Sequence, residues 1–370
     1  MEKISVIIPF YHGNKYIDNL IKTLEKAINI VEDFCEVEVI IVNDSPDCEI
    51  DIKYDYKINI IITFNDKNHG IHYSRVKGLL HSKGNYIVFL DQDDSVDEKY
   101  FISQLSALSE ADIVICNGVF QDNRVIISDN EKKRIEDKYG YAESLKDIVS
   151  PGQALIRRKA IPREWIDNIM NENYCDDAFL WLLMKNNNKK FVVNKEMLYR
   201  HVEHGNNSSL NFSNNIKAMS ELKCIINEKN LLDKKMTSLV NITLQKKIEK
   251  QKIYQKTEVI INTFCNDLNN GKIHIKDLAI GVFGYGNFGK TIINCFKQNN
   301  VNKLYIIDNY YIATKSEECS LYTEKDNWPP MDVLIITLPY SFNDIKMRLE
   351  NRAVNEIISV NDIYNISFTD

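Results

Sequence analysis

Gly84-Asn85-Tyr86-Ile87-Val88-Phe89-Leu90-Asp91-Gln92-Asp93-Asp94 is the stretch from which the fold can be read. Tyr86 to Leu90, of mostly apolar, strand-forming composition, runs straight into three carboxylates. A short apolar run between turn signals reads as a buried strand, and acids at the carboxyl end of such a strand sit where open α/β sheets bind ligands. The Asp91-x-Asp93 pair can turn two carboxylates toward one hard divalent cation, which a nucleotide diphosphate completes with its own oxygens. Standing alone, the same cluster reads as a solvated acidic loop.

The preceding segments supply context. Ser5-Val6-Ile7-Ile8-Pro9-Phe10-Tyr11 is a second apolar run, stopped by a proline and followed by Gly13 and by Ile17, Leu20, Ile21 and Leu24 at helical spacing. Val37 to Asp44 repeats the design with an acid closing a strand, and Ile58 to Thr63 adds another apolar run. Strands alternate with helices, which predicts a mostly parallel sheet. Asn68-His69-Gly70 then opens a helix containing Arg75 and Gly78.

In order, Pro9, Tyr11, Asp44, Asn68-x-Gly70, Arg75, Gly78, Gly84 and Asp91-x-Asp93 resemble the motifs of the inverting nucleotide-sugar glycosyltransferases of family 2, which have the GT-A fold. The ordered set is specific although each motif is weak alone. The resemblance implies a nucleotide-sugar site made of Pro9, Tyr11, Asp44, Asn68, Gly70, Arg75, Asp91 and Gln92. Tyr11 and Asp44 would lie against base and ribose, Arg75 would face the nucleotide, and Asp91 and Asp93 would carry Mn2+ or Mg2+. His12, Ser45-Pro46 and Val76 depart from the family pattern. These departures bear on the base preference more than on the reaction, so UDP is the default and GDP and dTDP stay open.

Transfer also needs a base. Asp176 and Asp177 stand at the start of an apolar helical run, Ala178 to Leu183, where acids also serve as plain helix capping. The family has an acidic pair at this place, and its second member, which takes the acceptor hydroxyl proton, matches Asp177. One carboxylate base implies inversion. Ser150-Pro151-Gly152-Gln153 is a turn before an apolar run, either an acceptor-side loop or the start of a strand. Tyr199-Arg200-His201 and His204-Gly205-Asn206-Asn207-Ser208 resemble a family segment whose histidine completes the metal shell. His204 matches best by its neighbours, and His201 is its rival.

With 370 residues, 44% hydrophobic, the chain can bury one large core or two modest ones. Its eight cysteines lack paired spacing, which argues against a zinc site or disulfide frame, and the net charge of −6 argues against nucleic-acid binding. No signal peptide or membrane-spanning run is evident, so the expected location is cytoplasmic, with peripheral contact at the inner face of a membrane as an option. From Lys217 to Lys256 there are ten lysines against four acids, with Met219, Leu222, Ile226, Leu232, Met236, Leu239, Ile242 and Ile248 offering helical faces. This reads as joining helices with a solvated lysine face, or one that meets anionic lipid near a lipid-linked saccharide acceptor.

A second α/β module starts near Asp277. A strand to Phe283, the turn Gly284-Tyr285-Gly286-Asn287-Phe288-Gly289, a helix, and a strand ending in Asp308 give the full context of a dinucleotide-binding half. Gly284, Gly286, Gly289 and Asp308 are its candidate binding residues, for a dinucleotide or a nucleotide-sugar. A structural or oligomerising role explains the same glycines.

The resulting expectation is an α/β protein. Residues 1–212 form a GT-A mixed sheet flanked by helices, 213–276 a helical linker, and 277–370 a small Rossmann-like domain. The expected function is a metal-dependent inverting glycosyltransferase acting on a saccharide acceptor for a bacterial surface polysaccharide. The rival is a nucleotide-binding regulatory or scaffolding protein with a degenerate transferase site.

Overall fold

The computed structural model describes residues 2–54, 56–202, 211–275, 277–309 and 320–366. They form two compact units, Met1–Ile248 and Glu249–Asp370.

The first unit is built on β1 (Glu2–Phe10), β2 (Cys35–Asn43), β3 (Asn59–Phe64), β4 (Tyr86–Phe89), β5 (Ser95–Val96), β6 (Ile113–Val119), β7 (Ala154–Arg157) and β8 (Phe191–Arg200). Its helices are α1 (Asn14–Asn29), α2 (Ile71–His81), α3 (Tyr100–Leu108), α4 (Asp129–Glu136), α5 (Gly140–Ser144), α6 (Arg163–Asp167), α7 (Asp176–Asn186), α8 (Phe212–Glu228) and the first part of α9 (Lys234–Asn269), whose residues from Glu249 belong to the second unit. The sheet order is β3-β2-β1-β4-β7-β6-β8-β5. The parallel arrangement expected from alternation holds across β3-β2-β1-β4 and gives way at β7, which runs antiparallel to both β4 and β6. The sheet is therefore mixed.

Ile4, Val6, Ile7, Ile8 and Phe10 of β1 are all buried, as a central strand covered on both faces requires. In α1 the buried face is Ile17, Leu20, Ile21, Leu24, Ala27 and Ile28, an inward stripe at helical spacing. The cluster at the end of β4 follows from sheet geometry. Pairing of β4 with β1 runs from Ile4↔Tyr86 to Ile7↔Phe89, so Leu90 to Asp94 leave the sheet beside the Pro9-Phe10-Tyr11 end of β1.

The lysine-rich stretch is helical, as expected, and it is divided between two cores. Met219, Leu222, Ile226, Leu232, Met236 and Ile248 belong to the core of the first unit, whereas Ile261, Phe264 and Leu268 of α9 belong to the core of the second. Ile242 is exposed. Among the described residues no helix is long and apolar enough to cross a membrane.

The second unit carries β9 (Ala279–Phe283), α10 (Asn287–Gln298), β10 (Lys303–Ile307), β11 (Ser320–Tyr322), β12 (Met331–Ile336), α11 (Phe342–Leu349) and β13 (Val354–Ser359). Its strands are all parallel in the order β11-β10-β9-β12-β13. Strand order reverses between β9 and β12, the arrangement of a doubly wound sheet.

Candidate active site

Four segments far apart in sequence meet at one cavity of about 560 Å³ in the first unit. Pro9 and Tyr11 follow β1, Asp44 follows β2, Asp91, Gln92 and Asp93 follow β4, and Asp176 and Asp177 open α7; all of them line it, as do Asn68 and Arg75. Gln92 fastens two of these ends together, accepting from the Tyr11 N–H at 2.9 Å and donating to the Tyr11 carbonyl at 3.0 Å. The Tyr11 ring is half exposed above this clamp.

Asp44 is buried and already satisfied. Its Oδ1 accepts from the Asn65 side chain at 2.7 Å and the His69 N–H at 2.8 Å, and its Oδ2 from the Gly70 N–H at 2.8 Å. The carboxylate thus shapes the Asn68–Gly70 turn at the cavity wall, which the family resemblance does not indicate. Gly70 itself has φ 90, where a side chain is strained, and a Cβ there would come within 3.0 Å of Asn173 Oδ1.

Arg75 is the junction of the site. It is buried on α2, donates to Asp176 Oδ2 at 2.6 Å and to Asp91 Oδ1 at 2.6 Å, and its Nε finds no partner among the described residues. Burial works against its charge, but Asp176, Asp91 and Asp177 outweigh that and raise its pKa above the ordinary arginine value. Asp91 also accepts from Ser150 Oγ at 3.2 Å, so the Ser150–Gln153 turn, which leads into β7, touches the acidic cluster.

The two acids of α7 have different surroundings. Asp176 is buried against Arg75, and its carbonyl accepts from Trp165 Nε1 at 2.8 Å. Asp177 opens onto the cavity, with Oδ1 accepting from the Ala178 N–H at 2.7 Å. The protein packed around its carboxyl, and then the neighbouring Asp176, push its pKa up to about 7 despite Arg75. Both acids sit in the first turn of α7, where the helix dipole favours them, but the N-cap position is Cys175 and carries no side-chain cap bond.

Asp94, the third acid of the run, is fully engaged. It accepts from the Tyr199 hydroxyl and, on Oδ1, from the Val202 N–H at 3.1 Å, with His201 Nδ1 3.2 Å away. Burial, ahead of the neighbouring charges, raises its pKa to about 6. His201 lines the cavity. Its imidazole is discouraged from charging by burial, but Asp94 prevails and holds its pKa above the ordinary value. His204 lies outside the described residues. Among the described residues no three His, Cys, Asp or Glu side chains are arranged to hold a metal ion. The donors at the end of β4 are two carboxylates on a cavity wall. That set suits an Mg2+ or Mn2+ ion that takes its remaining oxygens from a diphosphate and water.

Sequence reading missed Tyr141, Leu145, Tyr174, Leu222 and Lys247, which also line the cavity. Only the apolar periodicity of α8 hinted at Leu222, and nothing local marked Tyr141 or Tyr174.

In the second unit, the glycine turn is in place after β9. Gly284 has φ 91, and a Cβ on Gly289 would lie 2.0 Å from the Gly284 carbonyl, so α10 packs directly on the turn. A Cβ on Gly286 would meet nothing among the described residues within 4 Å. Asp308 Oδ2 accepts from the Tyr285 N–H at 2.7 Å, tying the end of β10 to the turn.

Residues 5–164 match the family described as "Glycosyl transferase family 2". The chain is 30% identical over 243 residues to "Minor teichoic acid biosynthesis protein GgaB" of Bacillus subtilis (strain 168), covering 62% of this chain and 26% of that one. It is 34% identical over 105 residues to "Poly(ribitol-phosphate) beta-N-acetylglucosaminyltransferase TarS" of Staphylococcus aureus (strain Mu50 / ATCC 700699), covering 27% and 18%. This chain therefore spans only a minority of the length of either relative. Among solved structures, S. aureus TarS 1–349 in complex with UDP-GlcNAc aligns with a TM-score of 0.49 at 18% identity, covering 65% of this chain and 71% of that one.

Proposed function

We propose that this chain, whose residues 5–164 belong to glycosyl transferase family 2, moves a sugar from a nucleotide-sugar to a saccharide acceptor in the synthesis of a bacterial surface polysaccharide. The observation that carries this reading is the meeting of Asp91, Asp93, Arg75, Asp176 and Asp177 on one cavity. The surface-polymer part is supported by the relative named for minor teichoic acid biosynthesis.

Tyr11 and Asn68 would border the nucleotide, with Asp44 fixing the turn that carries Asn68. Asp93 with Asp91 would hold Mg2+ or Mn2+, which when bound would offset charge on the departing diphosphate. Asp177 would accept the proton of the acceptor hydroxyl while its oxygen bonds to the anomeric carbon and the nucleoside diphosphate leaves from the opposite face, which inverts configuration. Asp176, held by Arg75, would keep negative charge beside Asp177 and so keep that carboxylate basic. A UDP-sugar is the donor to try first.

The test is hydrolysis and transfer with a panel of UDP-, GDP- and dTDP-sugars, with Mn2+, with Mg2+ and with excess EDTA. Turnover should need the metal, and Asp93→Ala should abolish it and weaken metal-dependent nucleotide binding. Full activity in excess EDTA would remove the metal assignment, and no turnover of any donor would remove the transferase reading.

A further inference from the structure

The turn from Met170 to Tyr174 leads into the acids of α7 and is tied from two sides. From α2, His72 Nδ1 accepts from the Met170 N–H at 2.9 Å, and the Ile71 N–H donates to Asn173 Oδ1 at 2.9 Å. From α8, the Glu221 carboxylate takes three donors: the Asn171 N–H and Nδ2 on Oε1, each at 2.8 Å, and the Glu172 N–H on Oε2 at 2.9 Å. At the end of this clamped turn Tyr174 has φ 114. A ring-bearing L-residue is strained there, and such a conformation persists only where the surroundings over-determine it. Strain of this kind, three residues before Asp177, points to a side chain whose direction matters.

Tyr174 lines the same cavity as Asp177, and Leu145, Val149 and Ala178 are among its apolar lining residues. A cyclic sugar presents an apolar face of C–H groups that packs on an aromatic ring, whereas an open-chain polyol has no such face. We propose that Tyr174 is the platform of an acceptor subsite for a cyclic sugar, with Glu221 as its positioning residue, so that one hydroxyl of the stacked ring reaches Asp177. This rests on the transferase reading above.

The experiment uses the full chain with a UDP-sugar that it hydrolyses, and compares p-nitrophenyl hexopyranosides with glycerol and ribitol as acceptors. Tyr174→Leu should raise the pyranoside KM roughly three- to tenfold, the size of one aromatic contact, and move the donor KM far less. Tyr174→Phe, which keeps the ring, should retain the pyranoside KM. Glu221→Ala should follow Tyr174→Leu, and Glu221→Gln, which keeps one acceptor oxygen, should fall between. An unmoved pyranoside KM in Tyr174→Leu, equal shifts in donor and acceptor KM, or a preference for glycerol or ribitol over every pyranoside would overturn the platform. If Tyr174→Leu does not fold, Glu221→Gln decides: a pyranoside KM equal to that of the unaltered chain overturns the proposal. A chain that hydrolyses no nucleotide-sugar overturns the transferase reading itself, and with it this subsite.

Discussion

At the scale of single residues, the acids of this site are told apart by their neighbours. Asp91 and Asp176 are both fixed on Arg75, whereas Asp177 is desolvated, lies beside a like charge, and has a pKa near 7. A general base acts in its deprotonated form and works best with a pKa near the operating pH. The sign follows: kcat/KM should rise with pH through about 7 and level off above it. Asp177→Asn should remove this limb and lower the rate by roughly 10² to 10⁴ with donor affinity little changed. A pH–rate profile that is flat from pH 5 to 8, or an equal loss in Asp176→Asn with none in Asp177→Asn, would reassign the base. The acid pair itself was legible in the sequence. The difference between its members was not, because it depends on Arg75, 101 residues from Asp176.

At the scale of elements, glycines that look alike in a motif do different work. In the turn from Gly284 to Gly289, Gly289 is filled against: its Cβ would sit 2.0 Å from a backbone carbonyl. Gly289→Ala should therefore cost about 1–3 kcal/mol by overpacking, read from the denaturant midpoint of the second unit. Gly286 has open space and φ −75, so Gly286→Ala should stay within about 0.5 kcal/mol of the unaltered chain. Equal destabilisation by both would mean that the turn is packed differently. The motif located the turn, yet it did not say that Asp308 is engaged by the Tyr285 N–H. That bond makes the acid part of the turn's own construction.

At the scale of the whole molecule, the apolar clusters show which pieces should stand alone. The core of the first unit includes Met236, Val240, Leu244 and Ile248 from α9, and that of the second includes Ile261, Phe264 and Leu268 from the same helix. A chain of residues 1–252 should fold and still hydrolyse donor, since every proposed transfer residue and the cavity lining through Lys247 are present. Residues 249–370 should also fold, but 277–370 should not, because removing Ile261, Phe264, Leu268 and Ile275, four buried side chains, from so small a core takes away several kcal/mol. Circular dichroism and thermal melts of the three fragments check this. A cooperative melt of 277–370 would show that α9 is dispensable to the second core.

Local chemistry alone carried much of the reading. The buried strands ending in Asp44 and Asp91, the inward stripe Ile17-Leu20-Ile21-Leu24, the acids opening α7 and the glycine turn after β9 are written in runs of a dozen residues, because strand burial, helical periodicity and turn conformation are set by near neighbours. The mixed sheet beyond β4 was expected only through resemblance; its antiparallel β7 is fixed by pairing with β4 and β6 across the fold. Tertiary structure alone decided that Arg75 joins Asp91 to Asp176, that Asp94 holds His201, that α8 and part of α9 complete the first core, and that Tyr174 is strained three residues before Asp177. Each of these depends on charges or surfaces brought together from distant parts of the chain, where a buried group's partners determine its state and no sequence window contains both.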